Sequence, residues 1–423
     1  MTFIQKLIEF FIRKKWLGLM VVVGLVAGIG ISTFCRSAGN FKQRTDLTVY
    51  LKASEMINAN RADHIYGIET NRHWHYVYSP FLAILLTPVE GLPLSVNVVL
   101  AYFLSVGALM GTFILARSFY EKSRNISWQV ALSAIFCIPI FMQTLSRAQL
   151  GIIMLFFAVL IFYCYLKNWR LVTGFLLGVA LSLKISPLAY LIFFFLFKKE
   201  WRVLAGTCLG LVLCLFIFPS ISVGTQQNWE LLKIWKGLMS AGSLDQAHKN
   251  YLWSELFTPF SEKNQSLYAV VTRLAWPSEE KFIASSNNMI RSLTSAFGFA
   301  MLVLLFLRRL PARIAQDPDR TRLLAEYSLY PMLMLFASPV SQMHHFTTLF
   351  LLFLGALLLM QQQAPRSKTY LALMISLWVA AGFIFLGFTM KSVFGYLGSP
   401  LWGSMLLWGV VLFCLNKKEV PGT

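Results

Sequence analysis

The sequence predicts an all-α polytopic membrane protein, and three observations lead to that class. Hydrophobic residues fill 57% of the 423 positions and charged residues only 13%, against about 25% charged in soluble globular proteins. Apolar runs near 20 residues in length, enough for a helix to cross a bilayer, recur along the whole chain. The basic residues behind the formal net charge of +19 cluster beside the ends of those runs, as the positive-inside bias requires. That clustering accounts for the charge without nucleic acid as a partner and makes membrane lipids the expected contact. A soluble α/β enzyme is excluded, since its apolar runs would be shorter and broken by charged helix faces.

Arg13, Lys14 and Lys15 place the N-terminus in the cytoplasm. The run Trp16–Phe34 is too long for a signal-peptide core and has no small-x-small cleavage site before Cys35, so it reads as an uncleaved first span. A polar segment, 35–78, follows. Ser79–Val89, bounded by Pro80 and Pro88, is too short to cross and is expected to be re-entrant or interfacial. Ser95–Ala116 returns to Arg117, Lys122 and Arg124. Trp128–Leu145 goes out, Ser146-Arg147-Ala148-Gln149 turns tightly, and Leu150–Leu166 comes back to Lys167 and Arg170. Leu171–Phe197 is interrupted by Lys184 and Pro187 and is basic at both flanks, so two short helices meeting near Lys184 fit better than one long helix. Val203–Ile221 leads to a second polar segment, 222–288. Met289–Leu307 returns to Arg308, Arg309, Arg313, Arg320 and Arg322. Leu323–Ala337 goes out to a break at Ser338-Pro339, and His344–Met360 comes back. Tyr370–Phe388 and Leu401–Leu415 form a last hairpin ending at Lys417-Lys418. The expectation is one integral membrane domain over 1–423 in the plasma (inner) membrane, with about twelve crossings, both termini cytoplasmic and no internal repeat. The two long polar segments both fall outside and together make a small cap. Of the six cysteines, Cys137, Cys164, Cys208, Cys214 and Cys414 lie in apolar runs and only Cys35 sits at an outer boundary, so no disulfide framework is expected.

Chemistry is expected where polar residues gather at the outer face. Asp46 opens an amphipathic stretch whose Leu47, Tyr50, Ser54 and Ile57 share a helix face, as in an interfacial helix. An isolated Asp there is either a helix N-cap or a general base that takes a proton from an attacking sugar hydroxyl. Tyr66, Tyr76 and Tyr78 are either belt aromatics or sugar-stacking rings. His73 and His75 share a strand face and form a weak metal pair. Lys184 interrupts an apolar run, where an ionisable residue is functional by default unless it snorkels to the surface. Arg147 and Gln149 share the tight outer turn. His344-His345 opens a span, and a helix start favours phosphate. About 100° separates adjacent helix residues, so one of the two is expected to face a site. The second polar segment holds Trp229, Trp235, Trp253 and Trp276, together with Arg273. It also carries Asn264-Gln265-Ser266, which matches a glycosylation sequon.

These residues occur in an order that resembles glycosyltransferase family 87. Asp46-Leu47-Thr48-Val49-Tyr50 with Ala53 is similar to the family's D-[FL]-x-V-Y-x-x-A opening, and Tyr66 to its next tyrosine. Tyr78-Ser79-Pro80 with Pro88 and Pro93 resembles its Y-x-P segment. Gln149 stands in its G-Q turn, with Ala148 replacing the glycine. Leu183-Lys184-Ile185-Ser186-Pro187 resembles L-K-x-x-P, and Asn264-Gln265-Ser266-Leu267 with Arg273 resembles N-Q-S-…-R. Ser338-Pro339 with His344-His345 resembles S-P-x-S-W-x-H-H, with Gln342 at the tryptophan position. The resemblance implies a GT-C-like bundle and transfer of a hexose, mannose by family habit, from a polyprenyl-phosphate donor to a lipid or glycan acceptor with inversion. It implies Asp46 as general base. It places His345, His344, Lys184, Arg273 and Arg147 at the donor phosphate, and Tyr50, Tyr66, Tyr78, Gln149, Asn264 and Gln265 around sugar and acceptor. No cofactor is expected and no metal ligand is assigned. Two other classes stand beside it: a transporter or flippase, for which the repeats that usually mark one are missing, and a glycan ligase or polymerase.

Overall fold

Inside hydrocarbon a chain must satisfy each backbone N–H and C=O within itself, and a helix does so segment by segment. The computed structural model describes residues 15–38, 45–68, 70, 74–120, 126–240, 258–276, 278–284, 289–307 and 317–416. Among them the regular elements are all helical, with no strand. Arg13, Lys14, His73, Lys122, Arg124, Trp253, Arg308, Arg309, Arg313, Lys417 and Lys418 lie outside the described residues.

The chain begins with α1 (Lys15–Ser37) and α2 (Asp46–Asn58). Two short helices follow, α3 (Pro80–Leu85) and α4 (Thr87–Glu90), each with a proline in its first turn, so the segment expected to be re-entrant is indeed too short to cross. Next come α5 (Leu94–Arg117), α6 (Ser127–Phe136), α7 (Ile138–Ser146) and α8 (Gly151–Leu166). The paired helices α9 (Arg170–Leu183) and α10 (Leu191–Phe197) flank Lys184, as expected. Then come α11 (Trp201–Val223), α12 (Thr225–Ser240), α13 (Leu267–Ala275), α14 (Glu279–Ala284), α15 (Met289–Leu307) and α16 (Asp317–Ala337). The last are α17 (Met343–Gln361), α18 (Lys368–Thr389) and α19 (Ser399–Asn416).

Among the described residues, five helices, α5, α11, α15, α17 and α18, are long and apolar enough to cross a membrane. A sixth span results if α6 and α7 count as one helix bent by 63°. About twelve crossings were expected. That count is not reached among the described residues, where several apolar runs fold as short or broken helices. Trp128–Leu145 bends at Cys137, two residues before Pro139, whose ring removes a donor and disrupts the preceding turn.

The bundle is built around α17. Each residue from Leu349 to Leu359 is buried, as a helix apolar on all sides must be when protein surrounds it. Helices α6, α16 and α18 pack against it. Helices α5, α11 and α15 instead expose large apolar side chains such as Phe103, Ile221 and Phe299, which in water would be costly and in lipid are neutral. Helices α9 and α11 approach at backbone distance. A Cβ added at Gly178 would lie 2.5 Å from Thr207 O, and one at Gly210 would lie 2.6 Å from Phe175 O. Gly174 and Gly206 are closer still to the opposite backbone. Both helices thus carry a G-x-x-x-G face, the small-residue solution to packing helices in lipid.

The helix ends separate chemically. At one end lie Arg170, paired with Glu200 at 3.3 Å, and Lys198, paired with the buried Glu326 at 2.8 Å. Helix α8 runs from there to Gly151, whose carbonyl accepts from Thr347 Oγ1 at 2.8 Å beside the histidine turn. Its 16 residues set the two ends about 24 Å apart. The first polar segment packs at the second end. There Leu47, Tyr50, Ile57 and Tyr66 share an apolar core with Leu231 and Leu238 of α12. Helix α2 was expected to be interfacial with one apolar face. It is instead buried on several sides, including Val49, Leu51 and Ala53, because α3, α4 and α12 cover it.

Candidate active site

The turn Arg147-Ala148-Gln149 and the start of α2 are bonded to each other. Asp46 N donates to Arg147 O at 3.2 Å, and Gln149 Nε2 donates to the Asp46 carboxylate. Asp46 does not cap its helix: the N-cap position is Thr45, and no side-chain cap bond forms there. Ala148 makes the turn possible by taking a φ of +50°, a left-handed conformation that costs a residue with a Cβ about 1–2 kcal/mol. Burial raises the Asp46 carboxyl above the usual carboxylate range. Arg147, the Gln149 hydrogen bond and Lys184 pull it the other way.

Lys184 follows the last turn of α9 in extended backbone. It is buried, with its Nζ unpartnered by hydrogen bonds among the described residues, so it does not snorkel. Its Nζ lies 5.8 Å from the centre of the Tyr78 ring. Tyr78 is held by a network of tyrosines. Its hydroxyl meets Tyr50 Oη at 3.1 Å, and its carbonyl accepts from Tyr66 Oη at 3.0 Å. Ser79 Oγ then donates to Ser182 O, which ties this strap to the end of α9.

His344 and His345 sit on the 3-10 turn that opens α17. Their ring centres are 4.2 Å apart. Gln342 N donates to His345 Nδ1 at 3.1 Å, so a neutral His345 carries its proton on Nε2 and presents a donor there. The turn packs closely on the Asp46-holding loop, for a Cβ at Gly151 would lie 2.5 Å from His344 O.

One cavity of about 410 Å³ gathers these groups: Asp46, Tyr50, Tyr78, Arg147, Gln149, Lys184, His344 and His345 all line it. Both histidines do so, contrary to the expectation of one, because the cavity wraps the turn on which the two rings meet. Trp74, Val77, Trp235 and Met239 give it an apolar wall. Lys263, Met334 and Gln342 also line it. Lys263 and Met334 carry no sequence signal, since an exposed loop lysine and a methionine in a helix look ordinary.

Four expected site residues lie outside this lining. Tyr66 is one step back, holding the Tyr78 carbonyl. Asn264 Nδ2 donates to Pro339 O at 3.1 Å, and its Oδ1 accepts from Ser341 N at 3.2 Å, which fixes the loop leading to the histidine turn. It is 2% exposed, so its sequon is not available for glycosylation. Gln265 Nε2 donates to Glu262 O and Gly395 O. Arg273 donates to the carbonyls of Tyr396, Pro259, Ser261 and Asn264 at 2.7–2.9 Å. Those four bonds engage Nε and Nη1 with backbone, while Nη2 is buried without a hydrogen-bond partner among the described residues.

A carboxylate, several cations, two imidazoles and aromatic walls thus surround one cavity in an all-helical bundle, the arrangement of a group-transfer site. The model of glycosyltransferase family 87 matches residues 76–339, more than half of the chain. The protein therefore belongs to glycosyltransferase family 87 and is a multi-pass membrane glycosyltransferase. No curated protein and no solved structure matches it. The match begins after Asp46 and ends before His344, so the tie between those residues and the family segment is the shared cavity.

Proposed function

We propose that this glycosyltransferase moves a hexose, mannose by family resemblance, from a polyprenyl-phosphate donor to a lipid-linked or glycan acceptor at the outer face of the plasma membrane. The observation that carries this reading is the convergence of Asp46, Arg147, Lys184 and the histidine pair on one cavity with an apolar wall. Its volume falls within the range of small-ligand sites.

In the proposed step the acceptor hydroxyl attacks the anomeric carbon while Asp46 takes its proton. The bond from that carbon to the phosphate oxygen breaks, and the oxygen leaves with the electron pair as a polyprenyl phosphate. A single displacement of this kind inverts the anomeric centre. The leaving group gains one negative charge, and fixed cations and donors aimed at it lower the barrier. Arg147, Lys184, His344 and the Nε2–H of His345 supply them. Tyr50 and Tyr78 form the side of the cavity suited to a sugar ring. Family membership favours this chemistry over a transporter.

The test is transfer from radiolabelled polyprenyl-phosphate mannose to a membrane lipid extract. Asp46→Asn is expected to lower turnover by about 10²–10⁴-fold without changing thermal stability by much. Near-normal turnover in that variant would remove Asp46 from the role of base.

A further inference from the structure

Beside the main cavity lies a second, of about 100 Å³. Arg147 and Lys263 line both, so the two spaces share a wall. The second adds Lys391 and Glu262. Three cations against one carboxylate leave it formally positive by two charges. It is much smaller than the main cavity of about 410 Å³. Gln143 and Gln265 add neutral polar groups to the lining, and Met343, Gly387, Phe388 and Pro400 add apolar surface from the turn opening α17 and the facing ends of α18 and α19. A small cationic chamber repels a metal ion and attracts an anion, and its apolar neighbours suit a hydrocarbon chain. It matches an anion attached to a hydrocarbon chain.

We propose that this second cavity binds a lipid-borne phosphate distinct from the donor phosphate at the histidine turn. The proposal rests on the reading of the main cavity as a polyprenyl-phosphate site. Two sources share the chemistry: the polyprenyl phosphate released after transfer, drawn past Arg147 and Lys263, and the phosphodiester headgroup of a phospholipid acceptor. Arg147 and Lys263 then face an anion on both sides, which couples occupancy of the second cavity to the charge in the first.

The test uses the full-length protein in detergent and equilibrium binding of radiolabelled farnesyl phosphate. Wild type is expected to bind at two sites. Lys391→Glu is expected to weaken one of them at least tenfold, and Lys391→Arg to retain it. His345→Ala is expected to weaken the other. Displacement of the Lys391-dependent site by phosphatidylglycerol assigns it to a phospholipid headgroup, and resistance to displacement assigns it to the released carrier. A single site, or two sites both indifferent to Lys391→Glu, overturns the proposal. Loss of the Lys391-dependent site together with no effect of His345→Ala instead overturns the reading of the main cavity.

Discussion

Asp46 is held from two directions by one three-residue turn: its N–H is bonded to the Arg147 carbonyl and its carboxylate to the Gln149 amide. Gln149 therefore acts through the base as a positioning residue. The direction of its effect on pH follows from charge. A base works only when ionised, and burial raises the Asp46 pKa while the Gln149 bond lowers it. Transfer is expected to fall as pH drops through this raised value. Gln149→Ala removes a lowering influence, so the acid limb of the rate profile should move to higher pH and turnover should fall about 10–100-fold. An unmoved limb would confine Gln149 to packing. Ala148 offers a second test. Its φ of +50° suits glycine, the residue that the family resemblance places there. Ala148→Gly should raise stability by up to about 1 kcal/mol, because relief of the left-handed strain exceeds the added chain entropy of glycine. The midpoint of thermal unfolding measures it, and a lower midpoint contradicts the strain argument.

At the scale of elements, α9 delivers Lys184, and its depth is set by its seam with α11. There the glycines of one helix rest on the backbone of the other. Backbone cannot rotate away as a side chain can, so Gly178→Val should destabilise by about 1–3 kcal/mol and reduce transfer by displacing Lys184. Gly409, with nothing within 4 Å of its added Cβ, is the control: Gly409→Ala should leave both quantities unchanged. Equal losses in the two variants would mean that the seam has no special role. Asn264, Gln265 and Arg273 act at this scale too. They read as ligand-binding residues in the chain because they are polar and ordered like the family's motif. In the fold they bond to the carbonyls and amides of loops whose hydrogen bonds no helix supplies.

For the whole molecule, the open quantity is orientation. Cys35 is exposed near the end of α1. Its neighbour Arg36 approaches Ser146 Oγ at 3.4 Å, one residue before the turn that holds Asp46. If the site faces outward, a membrane-impermeant maleimide should label Cys35 in intact cells. The other exposed thiol, Cys208, lies within α11 and should stay unlabelled in lipid. Labelling of Cys35 only after permeabilisation would reverse the orientation. The positive end marked by Arg170 and Lys198, about 24 Å away along α8, agrees with a cytoplasmic placement of that end.

Composition and the recurrence of apolar runs determined the class by themselves, because the bilayer demands helices wherever apolar runs are long. Lys184 was equally legible, since a lysine between two apolar runs has no cheap placement, and the break beside it followed from Pro187. Asp46 was visible as a position, but its role was ambiguous between cap and base. The tertiary structure removed the cap, since Thr45 holds that position, and brought Gln149, Lys184 and His345 from distant parts of the chain to the same cavity. The 63° bend between α6 and α7 was likewise visible only in the fold, because hydropathy cannot see it. The supporting layer of Asn264, Gln265 and Arg273 was decided there too. A polar side chain announces that it needs a partner, and only the packed chain shows whether that partner is a ligand or a neighbouring carbonyl.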